Sequence, residues 1–404
     1  MKHIYLLTIG LLTCAALSAQ VNDVVEMGPG YANQVWYSME NGEIGSAPLD
    51  EWDLAFEING FSASIRANSQ KGLIVYQTPY AISEWESLTS LGGDWPQLAD
   101  NSSTWSQGAF NTHYTSELDL GWGIYNPITH FVTGDSLFVV ELANGSLKKL
   151  RIDALASGVY TFTYSDLDGS NEEQKQLVKA EYPGKNFGYF RFDTGEMMDR
   201  EPANDTWDIT FTQYMSIIPG FGFYPVTGIQ HNLGVRVAEV AETPVDEADP
   251  WSVGFDSEID VIGSDWKALD GFSFVIVEDL SYFVEDIDGD VYQIFFTGFT
   301  GQSMGITEFT VTEFSLLSAE NGNEASFGVY PNPVSAGQIL TIDGEIQAGS
   351  QIQLFSIDGK LVHQEVIQAN GLLTLNTAKC DAGIYIVNVI DNENTFSQKV
   401  VINK

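Results

Sequence analysis

Runs of alternating polar and apolar residues, cut at short intervals by Asn-Gly and Asp-Gly, constrain this chain more than any other feature. Residues 136–152 read SLFVVELANGSLKKLRI and residues 158–169 read GVYTFTYSDLDG. Residues 282–296 read YFVEDIDGDVYQIFF and residues 306–315 read ITEFTVTEFS. In an extended chain successive side chains face opposite ways, so a period of two buries one face and wets the other. Asn-Gly and Asp-Gly supply the positive φ angles of tight hairpins. No long stretch keeps a 3.6-residue period; the nearest approach is the short polar segment around Glu172 to Lys179. The chain is therefore expected to be all-β and antiparallel.

One strand is spelled twice. Residues 51–57 read EWDLAFE and residues 206–212 read TWDITFT. Other landmarks follow in the same order. Trp105-Ser106-Gln107-Gly108 matches Trp251-Ser252-Val253-Gly254, Trp122 matches Trp266, and Asn144-Gly145 matches Asp288-Gly289. Gly158-Val159-Tyr160-Thr161-Phe162-Thr163 matches Gly305-Ile306-Thr307-Glu308-Phe309-Thr310. The offsets run from 144 to 155 residues, as when loops change length and strands do not. With 404 residues, too many for one ordinary core, this predicts a tandem duplication of one β domain over 20–185 and 186–318. The alternative is one large irregular β domain. In each copy Trp52 or Trp207 supplies a large core ring that shares a face with Leu54 or Ile209. Asp53 and Asp208 are placed to accept backbone N–H groups at the start of the strand. A catalytic carboxylate pair would require the two to meet across domains.

Charge excludes whole classes of partner. Seventeen Lys and Arg against 55 Asp and Glu give a net charge of −38, which repels nucleic acid and anionic membranes. Residues 1–19 carry Lys2, an apolar run from Ile4 to Leu17 and a small-residue end at Leu17-Ser18-Ala19, the pattern of a secretory signal peptide. Leu11-Leu12-Thr13-Cys14 offers a lipobox-like alternative. No later run is apolar enough to span a membrane, so no transmembrane segment is expected in the mature chain. Of two cysteines, Cys14 leaves with the signal and Cys380 remains, so no intrachain disulfide and no cysteine metal site are expected.

After a polar linker at 319–327 the texture changes. Residues 328–404 show short alternating runs with regular turn signals, as in a small Ig-like β-sandwich. The quoted landmarks are Tyr330-Pro331-Asn332-Pro333, the LFSIDGK hairpin at 354–360, Gly383-Ile384-Tyr385-Ile386-Val387, and the closing Lys399-Val400-Val401. This tail resembles the C-terminal sorting domain of the type IX secretion system of Bacteroidetes. The resemblance implies handling by that machinery, and a product released or held at the outer cell surface.

The two upstream copies resemble the HmuY-like haem-binding family in their WDLAF and WDITF strands and their late hairpins. That resemblance implies two tandem HmuY-like sandwiches, with haem or a related porphyrin as ligand, held by axial His or Met side chains from loops. His113 and His130 of copy 1 lie between the WD strand and the late hairpin, where this family supplies its ligands. By the Trp offset His130 falls on Phe274 and His113 near Ser257. Copy 2 offers His231 instead, with Met215 and Met304 as other soft donors. Residues 166–173 and 286–290 resemble calcium loops, but Gly comes fourth rather than sixth, and Asp-Gly is equally a hairpin turn. Trp36, Trp85, Trp95, Trp105, Trp122, Trp251 and Trp266 would line a sugar-binding surface or fill cores. There is no G-x-S-x-G, H-E-x-x-H, P-loop or dinucleotide motif. The sequence thus leads to a non-enzymatic, exported ligand-binding protein. Its ligand is haem, with a surface adhesin or carbohydrate-binding protein as the alternative.

Overall fold

In the computed structural model the described residues are 20–314, except 61, 219, 221 and 272, and 327–403, except 345–347, 357–359, 368–372, 381 and 392–393. The signal segment and nearly all of the expected linker lie outside them. The chain divides into two compact units, one spanning Ser18–Phe314 and the other holding the tail. Among the described residues no helix is long and apolar enough to cross a membrane.

The first unit contains two β-sandwiches with the same strand order. In the first, Glu173–Val178, Val159–Asp166, Leu147–Ala156, Ser136–Glu141 and Ile74–Ala81 lie side by side in a larger sheet. They share a core with the sheet Met197–Met198, Phe187–Phe190, Leu54–Glu57, Ile65–Ala67. In the second, the order is Val21–Glu26, Ile306–Glu313, Val291–Phe299, Ser281–Glu285, Arg236–Val240. Its partner sheet is Gly42–Pro48, Asn33–Ser38, Ile209–Ile218, Gly222–His231. Both WD strands are central. Each alternates as expected: Leu54 and Phe56, or Ile209 and Phe211, enter the core, and Ala55, or Thr210 and Thr212, face away from it.

The pairing does not follow a division at 185/186. Strands on both sides of that point, Glu173–Val178 and Phe187–Phe190, belong to the first sandwich. The second sandwich is completed by the first strands of the unit. Val21 pairs with Val311, and Val35, Trp36 and Tyr37 pair with Phe211, Thr210 and Ile209. In the first sandwich Phe187–Phe190 plays the same part against Glu57–Leu54. Each half of the sequence thus lends its leading strands to the other half, and the borrowed strands satisfy N–H and C=O groups that an edge would leave open.

The two aspartates hold this exchange in place. Asp53 N–H donates to Phe190 O at 2.9 Å, and its Oδ2 accepts from Phe192 N–H at 2.7 Å. Asp208 repeats both bonds, to Tyr37 O at 2.9 Å and from Met39 N–H at 2.7 Å. Asn68 and Asn232, at the end of the next strand, close both turns in the same way. Asn68 Nδ2 donates to Leu49 O and Trp52 O; Asn232 Nδ2 donates to Asn204 O and Trp207 O. Trp122 is fully buried, its N–H donating to Ala63 O at 3.0 Å, while Trp266 stacks on Phe296 at 4.1 Å.

The tail is a small all-β sandwich. A three-stranded sheet, Phe327–Tyr330, Ile339–Gly344, Leu373–Asn376, shares a core with a five-stranded one ordered Val334–Ser335, Asn394–Asn403, Gly383–Asp391, Gln351–Ser356, Leu361–Val366. Cys380 lies in that core. Asn332 ties the Tyr330–Pro333 turn to the last strand, with Nδ2 donating to Lys399 O at 2.8 Å and Oδ1 accepting from Val401 N–H at 2.9 Å. Tyr385 is buried; Pro331, Pro333, Gly383 and Lys399 are exposed.

Candidate functional site

The outward faces of the two four-stranded sheets meet inside the first unit. Trp105 N–H donates to His231 O at 2.9 Å, Gln230 Nε2 to Ser102 O at 2.8 Å, and Asn186 Nδ2 to Asn232 Oδ1 at 2.7 Å. Between these links lies a cleft walled by Trp36, Trp52, Trp105, Tyr189, Trp207 and Tyr214. Its cavity volume of about 70 Å³ admits small polar groups rather than a whole ring system.

Four buried polar atoms around this cleft lack a hydrogen-bond partner: Trp52 Nε1, Trp207 Nε1, Gln70 Nε2 and Asn186 Oδ1. Trp207 is 3% exposed and Asn186 2%. An unpaired buried donor or acceptor costs about 1–3 kcal/mol, so four of them around one cavity mark a place for a polar guest, water included. These three donors and one acceptor are uncharged and set among flat rings.

The charged groups of the cleft are committed to one another. Burial raises the Glu201 carboxyl to about 7, offset in part by the N–H groups of Phe187 and Asn186, the Tyr189 hydroxyl and Arg200. Burial also raises Asp100, against Arg66 and the N–H groups of Ala109 and Ala67. Arg66 Nε lies 3.5 Å from Asp100 Oδ2, its other nitrogens donate to Thr104 O and Asn101 O, and its plane rests over Trp105. Behind the wall, Arg200 reaches Glu51 at 2.9 Å, Gln34 Oε1 at 2.7 Å and Pro48 O at 3.0 Å, stacked on Trp36 and Tyr189.

The histidines lie elsewhere. His113 is exposed. His130 is exposed at φ 59°, with Nδ1 2.6 Å from the Tyr125 hydroxyl. His231 is buried, its ring nitrogens 3.1 Å from Asn232 O and 2.8 Å from Glu258 O, and burial lowers its pKa. None of the three lines the cleft; Met215 does, and Met304 is exposed. Asp53 and Asp208 serve the backbone as described, not one another. The calcium-like loops spend carboxylates on their own turns. Asp286 Oδ1 accepts from Asp288 and Asp290 N–H, and Asp166 accepts from Lys148 and Asn171. Of the candidate sugar-binding tryptophans, Trp36 and Trp105 line the cleft, Trp122 and Trp266 are core, and Trp251 is exposed. Trp52 and Trp207, read as core rings, supply the open N–H groups. Their matched positions in the repeat were the available signal; Gln70, Asn186 and Glu201 carried none.

Residues 328–403 match the family described as the secretion system C-terminal sorting domain. The chain is accordingly a type IX secretion cargo, delivered to the cell surface or beyond. A curated relative, an ulvan lyase of Nonlabens ulvanivorans, is 30% identical over 92 residues, covering 22% of this chain and 17% of the relative. Among solved structures, the BSP domain of a biofilm-associated protein aligns at 10% identity over 98% of this chain and 68% of its own, with a TM-score of 0.17. A polysaccharide lyase aligns at 11% identity over 88% of this chain and 40% of its own, also at 0.17. At those scores neither structure bears on the fold. The expectation of a protein without enzymatic activity is overturned by the lyase relative. The missing elbow, zinc and phosphate-loop motifs exclude only the reactions those motifs serve.

Proposed function

We propose that this exported protein binds a saccharide in the cleft between its two sandwiches. The observation that carries the reading is the set of four unpaired buried polar atoms among aromatic walls. A sugar hydroxyl both donates and accepts, so hydroxyl groups match the polarity left open by the Trp52, Trp207 and Gln70 N–H groups and the Asn186 oxygen. The C–H faces of a pyranose pack on aromatic rings. The narrow cavity admits hydroxyl-bearing edges while the rest of the chain stays outside, as suits a polymer.

The test is a glycan array with the mature chain, followed by isothermal titration against each hit. Trp207→Phe keeps an aromatic ring and removes the N–H together with part of the indole. It is expected to weaken binding at least tenfold, about 1.4 kcal/mol, while the far-UV circular dichroism and a cooperative melting transition are kept. No binding to any glycan, together with a Soret shift on adding haemin that is lost in His113→Ala and His130→Ala, would replace this reading with haem capture through those histidines.

A further inference from the structure

Resting on the saccharide reading, we infer that the cleft takes a neutral saccharide and rejects chains bearing uronate or sulfate groups. Recognition of an anionic sugar needs a cation that is free to turn toward it, most effectively the fork of an arginine. Arg66 is the one cation lining the cleft among the described residues, and all its nitrogens are engaged: Asp100, Thr104 O and Asn101 O hold them, with Trp105 beneath. Arg200, next behind the wall, is held by Glu51, Gln34 and Pro48 O. Nearby Lys71 is paired with Asp53 at 2.8 Å, and Lys185 with Asp199 at 3.1 Å. To bind an anion, Arg66, Arg200 or Lys71 would abandon a buried or half-buried partner and leave a carboxylate or carbonyl unpaired, the costly side of the exchange.

The acids of the cleft reinforce the selection. Asp100 and Glu201 both line it, and an incoming carboxylate or sulfate would meet them at short range in a poorly solvated space. The chain's net charge of −38 adds a long-range field of the same sign, which slows the approach of any polyanion. Against this, the buried side-chain atoms around the cleft that lack a partner among the described residues are uncharged indole N–H, amide N–H or amide oxygen groups. These groups suit hydroxyl partners, not ions.

The experiment is isothermal titration of the mature chain at pH 8 in 20 mM and 500 mM NaCl. The probes are neutral oligosaccharides of glucose, mannose, galactose and xylose, and two polyanions, polygalacturonate and dextran sulfate. Expected is binding confined to neutral chains, with a Kd that changes less than twofold between the two salts, because no ion pair is made. Trp52→Phe and Trp207→Phe should each weaken that binding at least tenfold while the far-UV circular dichroism and a cooperative melting transition are kept. Equal or tighter binding of either polyanion, weakening with salt, overturns the neutral-sugar inference and leaves the saccharide reading standing. Binding of no saccharide brings down both. Neutral binding indifferent to both tryptophan variants places the site elsewhere and overturns the assignment of the cleft.

Discussion

Asp53 and Asp208 hold equivalent positions with opposite electrostatic surroundings, and the same substitution should act on them with opposite sign. Asp53 is buried with Lys71 Nζ 2.8 Å from Oδ1. Asp208 is buried with Asp286 and Asp288 as its charged neighbours, and burial first, then those carboxylates, raise its pKa from 3.8 to about 6. At 1.36 kcal/mol per tenfold change in proton affinity, that rise corresponds to about 3 kcal/mol. The folded state holds the proton more tightly than the unfolded chain. The associated stability is therefore fully present below about 3.8 and lost as pH rises through about 6. Above that, the ionised Asp208 costs the fold the same amount. Asp208→Asn removes the charge and keeps an oxygen for Met39 N–H, a bond weaker by about 1 kcal/mol for want of charge. The net expectation at pH 7.5 is a gain of about 2 kcal/mol, about 3 °C in melting temperature for a unit of this size. Below pH 4 the variant should gain nothing. Asp53→Asn strips Lys71 of its partner and should cost about 2 kcal/mol at pH 7.5. Thermal unfolding followed by tryptophan fluorescence from pH 4 to 8 reads both. If the two variants shift stability in the same direction at pH 7.5, or if Asp208→Asn runs parallel to the parent across the range, the assignment of the buried charge is wrong.

Fragment 20–185 lacks Phe187–Met198 and should expose the Leu54–Glu57 edge and aggregate. Fragment 49–202 contains every strand of the first sandwich and should give a protease-resistant, cooperatively melting domain. Trp122→Ala should cost about 3–5 kcal/mol in denaturant unfolding, since it empties a fully buried site and leaves Ala63 O unpaired. Deleting residues 328–404 should leave the protein in the periplasm, as shown by fractionation. Asn332→Ala should lower the melting temperature of the isolated tail by removing both bonds to the last strand, worth about 1–2 kcal/mol together.

Local chemistry was legible in the order of residues. The period-two runs and Asp-Gly breaks lie on hairpins, and the WD strands sit at the same place in two sheets of the same order. The tail could be read as a sorting domain because its motifs are contiguous in sequence. Which strand completes which sheet could not be read. Val35 and Phe211 are paired across 176 residues, and nothing in either segment favours that partner over the WD strand of its own half. Only the closing of both sandwiches at once, with Asp53 and Asp208 accepting from the borrowed strands, decides it. The cleft has the same origin: Trp52, Gln70, Asn186 and Trp207 come from separate segments, and each is an ordinary strand or turn residue until the two sheets meet. Alternation fixes which face of a strand is apolar, but a strand's neighbours, and so the groups left without partners, are set by long-range pairing that no local pattern encodes.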